Sequence, residues 1–300
     1  MSSRRQLLAD ALLVLICFFW GSTFVLVKEA VAAVPVTPFL AIRFTLAGLV
    51  LALLFAPRLH ALERRTLAAG VALGAVLFTA YALQTYGLAR TSAANAGFIT
   101  GLSVVLVPLF SAAVFGVRPG AGVALGVGLA TAGLYLLSTA GAGLRAGVNA
   151  GDLLVLGCAV AFAWHILLTG RFARVFDPTL IATVQVATTG LLAAAAAWLF
   201  EGGIPLRLPA VVWWAVVVTA LFATVFAFLV QTVAQRFTSA TRTALIFTTE
   251  PVFAALIAWG YAGEPITRWT LAGGALVVLG MVAAELGPEG PAERGQRARR

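Results

Sequence analysis

Three ionisable side chains, Arg43, Arg242 and Glu250, stand inside long apolar runs of the 300-residue chain. In a hydrocarbon environment each costs at least about 2.5 kcal/mol, so each is expected to face the interior of a helix bundle. Arg242 and Glu250 are eight residues apart on one run, about 80° around a helix from each other, so their partners must come from other helices. For Arg43 two readings stand open: a structural ion pair or snorkelling side chain, or a site for the carboxylate of a bound solute. Glu250 precedes Pro251, which removes a backbone hydrogen bond to the Phe247 carbonyl, so the carboxylate either helps organise that kink or carries a proton between membrane faces.

Polar and aromatic residues recur at helical spacing around these charges. Tyr81, Gln84 and Thr85 share one face, and Phe228, Gln231 and Thr232 repeat the pattern. Glutamine offers donors and an acceptor, which suits a polar, uncharged or zwitterionic solute as well as it suits a tie between helices. Asn95 and Gln185 belong to the same class. Trp20 and Trp164 fall near the middle of their runs, followed by Ser22 and Thr23 in one case and His165 in the other. An indole N–H facing lipid would lack a partner, so a shared cavity is the expected place for both. Trp198, Trp213, Trp214, Trp259 and Trp269 lie nearer run ends, as interfacial anchors do.

The composition dictates the solvent of the elements that carry these residues. With 61% hydrophobic and 10% charged residues and a mean hydropathy of +1.01, the chain cannot cover a water-exposed surface. A net charge of +9 arises from few acids, which argues against a nucleic-acid partner; the bilayer is the expected one. Cys17 and Cys158 lie in apolar runs and suggest neither a disulfide nor a metal site. No HExxH, Ser/His/Asp order or phosphate-cradling loop occurs, so no catalytic residue, cofactor or metal is expected.

Cut into lengths of about 20 residues, enough to cross some 30 Å of hydrocarbon, the chain yields ten apolar segments. They fall near 11–31, 38–55, 67–89, 93–115, 121–139, 152–170, 179–200, 210–234, 240–261 and 269–286. Ser3-Arg4-Arg5-Gln6-Leu7-Leu8 resembles a twin-arginine export signal, but an uncleaved first span accounts for the same residues. With the N-terminus inside, thirteen Lys and Arg side chains fall on that face against five opposite, with Arg43 and Arg242 within spans, which predicts cytoplasmic termini.

The chain is also internally repeated. Gln84-Thr85 and Thr91-Ser92-Ala93 match Gln231-Thr232 and Thr238-Ser239-Ala240 at an offset of 147, which also relates Gly126 to Gly273 and Gly133 to Gly280. Trp20 matches Trp164, and Pro108-Leu109-Phe110 matches Pro251-Val252-Phe253. The expected fold is an all-α integral membrane protein of ten transmembrane helices in two inverted five-helix repeats, 1–140 and 152–287, joined by a linker at 141–151 and followed by a basic cytoplasmic tail at 288–300. An odd number of spans per half inverts the second half, and such pairs place a solute site near the midplane between halves that rock. Pro108 and Pro251 would be the helix hinges. Gly70/Gly74, Gly97/Gly101 and Gly122/Gly126 offer small faces that suit close packing in a monomer, with a homodimer as the alternative.

Phe19-Trp20-Gly21-Ser22, Arg43-Phe44 with Ala47-Gly48, Asn95-Ala96-Gly97-Phe98 through Pro108-Leu109, and Ala244 through Ala255 resemble the EamA family of the drug/metabolite transporter superfamily. The likeness covers nearly the whole chain. It implies a ten-helix secondary carrier of the inner membrane, often an exporter of amino acids or related metabolites, with both termini cytoplasmic. Arg118-Pro119 departs from the family's acidic residue before a loop proline, which Glu264-Pro265 keeps. The expected activity is export of a small polar metabolite, most simply an amino acid with an aromatic or apolar part, by alternating access. Trp20, Ser22, Arg43, Tyr81, Gln84, Asn95, Trp164, His165, Gln185, Phe228 and Gln231 are the expected substrate contacts, with Glu250 for proton coupling. Proton-coupled efflux of lipophilic cations is the alternative, because an embedded carboxylate would neutralise such a cargo.

Overall fold

In the computed structural model, residues 3–91, 93–116, 119–139, 150–205, 207–262 and 266–286 are described. Most of the expected linker, the tail over 288–300, the loops around Arg118 and Glu264, and the Asn95 side chain lie outside them. The described chain is helical throughout its apolar runs, because in lipid every backbone N–H and C=O must be satisfied within its own segment.

Numbered in chain order, the spans are span 1 (Ser3–Ala33), span 2 (Val36–Leu54), span 3 (Arg64–Leu88), span 4 (Ala93–Gly101 and Ser103–Phe115), span 5 (Ala121–Thr139), span 6 (Ala150–Phe172) and span 7 (Pro178–Phe200). Span 8 joins Ala210–Ala220 and Ala227–Ala234 through a π-helical turn, Leu221–Phe226; span 9 is Ala240–Phe247 and Glu250–Ala262; span 10 is Arg268–Leu286. Six of these, spans 1, 2, 3, 6, 7 and 8, are long and apolar enough to cross a membrane unaided. Spans 4 and 9 are divided, and spans 5 and 10 fall short of that length and apolarity among the described residues.

Two run boundaries differ from the sequence reading for identifiable reasons. Span 1 starts at Ser3, ahead of the apolar run, because the polar residues before Ala11 carry the helix on. Span 4 is interrupted at Leu102 rather than at Pro108, which stands inside the second segment. A proline disturbs the turn before it, and here the N–H groups of Val105 and Leu106 both turn to the Leu102 carbonyl. Pro251 sits in the first turn of the second half of span 9, where a missing N–H costs nothing.

Packing follows the repeat. Spans 2 and 7 pack together, as do spans 5 and 10; each is the other's counterpart in the opposite half. Span 3 against span 6 is mirrored by span 8 against span 1, and span 4 against span 6 by span 9 against span 1. The glycines make this relation local. A Cβ on Gly126 would lie 2.5 Å from the Gly280 carbonyl oxygen, and one on Gly133 would lie 2.6 Å from that of Gly273. Exchanging the halves turns the first contact into the second. Spans 2 and 7 repeat the device: a Cβ on Gly48 would meet Ala187 Cα at 3.0 Å, and one on Gly190 would meet the Thr45 nitrogen at 2.8 Å. With lipid as solvent, such close backbone approach is what draws helices together.

Large apolar side chains left outside, among them Leu49, Leu53, Leu191, Leu199 and Phe200, face the bilayer. Trp198, Trp213, Trp214, Trp259 and Trp269 are likewise on the outside. Phe39, Phe44, Tyr81, Val216 and Phe228 form the largest interior cluster, between spans 2, 3, 7 and 8.

Candidate functional site

The site is built on the π turn of span 8. One extra residue in that turn lets Thr224 Oγ1 donate to the Thr219 carbonyl five residues back, at 2.9 Å. π turns interrupt the regular ladder and recur at functional positions. Here the turn receives two long side chains: Arg43 Nε donates to Thr224 Oγ1 at 2.9 Å, and Arg43 Nη2 donates to the Ala223 carbonyl at 3.4 Å. The Trp20 indole Nε1 donates to the same carbonyl at 2.9 Å. A carbonyl oxygen has two lone pairs, so both bonds are satisfiable.

Arg43 is 3% exposed, and its guanidinium lies 4.9 Å from the Tyr81 ring centroid and 5.1 Å from that of Phe44. Among the described residues no carboxylate reaches it. Cation–π contacts and neutral hydrogen bonds hold the charge in place, yet they replace only part of the water it gave up.

Around it stands an aromatic wall. Tyr81 meets Phe44 at 5.0 Å, Phe162 at 5.5 Å and Phe228 at 6.1 Å between centroids. Trp20 meets Phe247 at 5.0 Å and Phe228 at 5.9 Å. Spans 1, 2, 3, 6, 8 and 9 therefore each contribute a ring. Tyr81 and Phe228, repeat counterparts, face each other across the centre.

Glu250 stands at the start of the second half of span 9. Span 1 fits against it because Gly21 has no side chain: a Cβ there would lie 2.7 Å from the Glu250 carbonyl oxygen. Among the described residues no hydrogen bond or ion pair engages it.

The other expected contacts divide. Gln84 Nε2 lies 3.4 Å from Thr100 Oγ1, linking spans 3 and 4. His165 Nε2 and Gln185 Oε1 are 2.8 Å apart, and Gln185 Nε2 donates to Thr232 Oγ1 at 3.1 Å, which makes Nε2 the protonated nitrogen of His165. Gln231 Nε2 donates to Gln235 Oε1 at 3.4 Å, and Gln235 Nε2 donates to the Ile166 carbonyl at 3.0 Å. These buried groups tie spans 6, 7 and 8 together. Trp164 stacks on Phe110 of span 4 at 5.3 Å, away from the ring of Tyr81, and Ser22 Oγ donates to the Phe19 carbonyl of its own helix. Among the described residues no three His, Cys, Asp or Glu side chains gather as metal ligands.

Three residues outside the sequence reading complete the picture. Thr224 is the partner of Arg43, and its signal, a hydroxyl in the apolar run of span 8, is weak without the π turn. Asp10 Oδ2 lies 2.7 Å from Arg242 Nη2, joining the starts of spans 1 and 9. On the opposite face Glu201 accepts from the Thr37 N–H at 2.8 Å, from Thr37 Oγ1 at 2.5 Å and from the Tyr86 hydroxyl at 2.6 Å. A charge before a proline-rich break is easily taken for a loop marker.

A bundle of two inverted halves enclosing a charged, ring-walled centre is the architecture of a membrane carrier. The chain belongs to the EamA-like transporter family, whose model matches residues 7–139 and 149–284, once in each half. It is 32% identical over 282 residues to an uncharacterized transporter of Archaeoglobus fulgidus, covering 94% of this chain and 87% of that one. It shares its fold with a solved crystal structure at a TM-score of 0.76 and 24% identity, covering 92% of this chain and 96% of the other.

Proposed function

We propose that this transporter exports small polar metabolites, with amino acids bearing an aromatic or apolar part as the favoured cargo, by alternating access from the inner membrane with both termini cytoplasmic. The carrying observation is Arg43: a buried guanidinium, fixed on the π turn and lacking a carboxylate partner among the described residues, inside a wall of aromatic rings. A solute carboxylate would supply the missing charge-assisted bonds, and rings on several spans would cover an apolar side chain. The excess of basic residues on one face supports the orientation. Polar ties at Asp10–Arg242 and at Glu201 bracket the centre on opposite faces, where gates of a rocking bundle would lie.

The Glu250 carboxylate is what proton-coupled efflux of lipophilic cations would require. A cationic cargo at the ring-walled centre would meet the Arg43 guanidinium, which favours the amino-acid reading. Counterflow into liposomes with pooled amino acids, nucleosides and cationic dyes, with and without a pH gradient, separates the two. Exchange of amino acids supports the proposal; exchange of cationic dyes alone overturns it.

A further inference from the structure

Spans 4 and 9, counterparts in the two halves, are both divided, and at the same place: Leu102 and Thr249 are separated by the 147-residue offset of the repeat. Both breaks are tight turns. The Leu102 N–H bonds back to the Ile99 carbonyl and the Val105 N–H to that of Leu102, while the Thr248 and Thr249 N–H groups reach the Leu245 and Ile246 carbonyls, each three residues back. A 3₁₀ turn inside a helix is a recurrent hinge. It leaves each span with a short first segment, Ala93–Gly101 and Ala240–Phe247, and the inversion of the halves puts these segments on opposite faces. Each segment is held near its start by an aspartate from the first span of the other half. Asp10 Oδ2 of span 1 lies 2.7 Å from Arg242 Nη2, and Asp152 Oδ1 of span 6 accepts from Thr91 Oγ1, two residues ahead of Ala93, at 2.6 Å. The two acids are themselves repeat-related: Asp10 precedes Leu12-Leu13-Val14-Leu15 and Cys17, and Asp152 precedes Leu153-Leu154-Val155-Leu156 and Cys158. On the Thr91 face Glu201 also ties span 7 to spans 2 and 3, but these spans are undivided and their backbones meet at Gly48, Gly74 and Gly190, so that tie belongs to a fixed frame.

We propose that the two first segments are the gates of the carrier, swinging at Leu102 and at Thr248–Thr249 and latched by Asp152 with Thr91 on one face and by Asp10 with Arg242 on the other. This rests on the carrier reading above and names the parts that move. Each latch crosses from one half to the other, so it breaks when the halves rock apart on its face, and exchanging the halves turns one latch into the other. Both are made in this structure, which is therefore a form latched at both faces. The hinge ends of the gates reach the residues of the candidate site. Phe247, last in the span 9 segment, packs on Trp20, and Thr100 of the span 4 segment takes the bond from Gln84. Swinging the first segment removes a ring from the aromatic wall, and swinging the second releases Gln84. A native thiol lies beneath each gate. Cys17 is fully buried with Sγ 3.5 Å from the Ile246 carbonyl, and Cys158 is fully buried one turn beyond Val155, which packs with Ala96 of the span 4 segment.

Cys17 and Cys158 are the two cysteines of the chain, so each can report one gate. The full-length protein in lipid nanodiscs, with both faces open to water, is treated with a water-soluble methanethiosulfonate and its modification is followed by intact mass, Cys158→Ala isolating Cys17 and Cys17→Ala isolating Cys158. With both latches intact the two thiols should be protected. Asp10→Asn should speed labelling of Cys17 at least about tenfold and leave Cys158 as it was, and Thr91→Val should do the reverse. Arg242→Gln breaks the first latch and Asp152→Asn the second if the other variant does not fold. Gly126→Val, a packing defect between spans 5 and 10, should speed neither, which separates an unlatched gate from a loosened bundle. Latch variants that label both cysteines alike, or neither, overturn the gates, and amino-acid counterflow by the same wild-type preparation then leaves the carrier reading standing. A wild type that moves no solute overturns both.

Discussion

Arg43 and Thr224, 181 residues apart in the chain, meet at 2.9 Å because a π turn in span 8 swings the threonine hydroxyl toward span 2. Nη2 reaches the Ala223 carbonyl of the same turn at 3.4 Å, so the turn holds the guanidinium at two of its nitrogens. Thr224→Val keeps the shape and removes the acceptor. A hydrogen bond to a charged group is worth about 1.5 to 3 kcal/mol, so the substrate concentration for half-maximal counterflow should rise roughly tenfold or more. The melting temperature should fall as well, because the buried Arg43 Nε loses its acceptor; an unchanged half-maximal concentration would remove Thr224 as a positioning residue.

The paired glycines of spans 5 and 10 predict a packing defect confined to one face. Gly126→Val would drive a side chain onto the Gly280 carbonyl, whereas Gly128 has nothing within 4 Å of an added Cβ. Overpacking typically costs about 1 to 3 kcal/mol. Thermal unfolding in detergent should therefore drop clearly for Gly126→Val and stay near wild type for Gly128→Ala.

Asp10 and Arg242 join the starts of spans 1 and 9 with side chains 14% and 24% exposed. Removing one partner of such a part-buried pair costs about 1 to 2 kcal/mol at this degree of exposure. Asp10→Asn and Arg242→Gln should each destabilise, and the double variant should cost less than their sum, which a double-mutant cycle on unfolding free energies measures.

Asp177 caps the start of span 7, outside the membrane-crossing segment. Partial burial pushes its carboxyl up, but bonds from Thr179 Oγ1, Thr179 N–H and Leu180 N–H, with Arg58 at 3.5 Å, outweigh this and hold it below the usual aspartate value of 3.8. The folded state then binds fewer protons than the unfolded one. Its contribution to stability is full above the usual aspartate range and is lost as pH falls through the depressed value. Unfolding measured from pH 6 down to about pH 3 should show a steeper loss in wild type than in Asp177→Asn.

Much of the architecture was legible because lipid leaves few choices. Apolar runs of spanning length, an odd number per half and glycines at a fixed offset require an inverted pair, and Gly126–Gly280 with Gly133–Gly273 is that offset realised as contact. Arg43, Tyr81, Trp20 and Phe228 could be picked out as costly or recurrent residues in apolar runs, and they do converge. Their neighbours could not. Thr224 matters only through a change of helical pitch, which composition does not encode, and Asp10 looked like a residue ahead of the membrane until span 1 was seen to begin at Ser3. His165, Gln185 and Gln231 share the residue types of a polar solute site; His165 and Gln185 tie spans 6, 7 and 8, whereas Gln231 reaches only Gln235, four residues on in its own span.

The central claim is that Arg43 anchors the substrate carboxylate, and counterflow of labelled L-phenylalanine into liposomes carrying purified wild type or Arg43→Gln tests it most directly. The account predicts saturable exchange in wild type and a loss of at least about tenfold in the variant, with its melting temperature showing that it is folded. Exchange by folded Arg43→Gln at the wild-type rate and half-maximal concentration would contradict it.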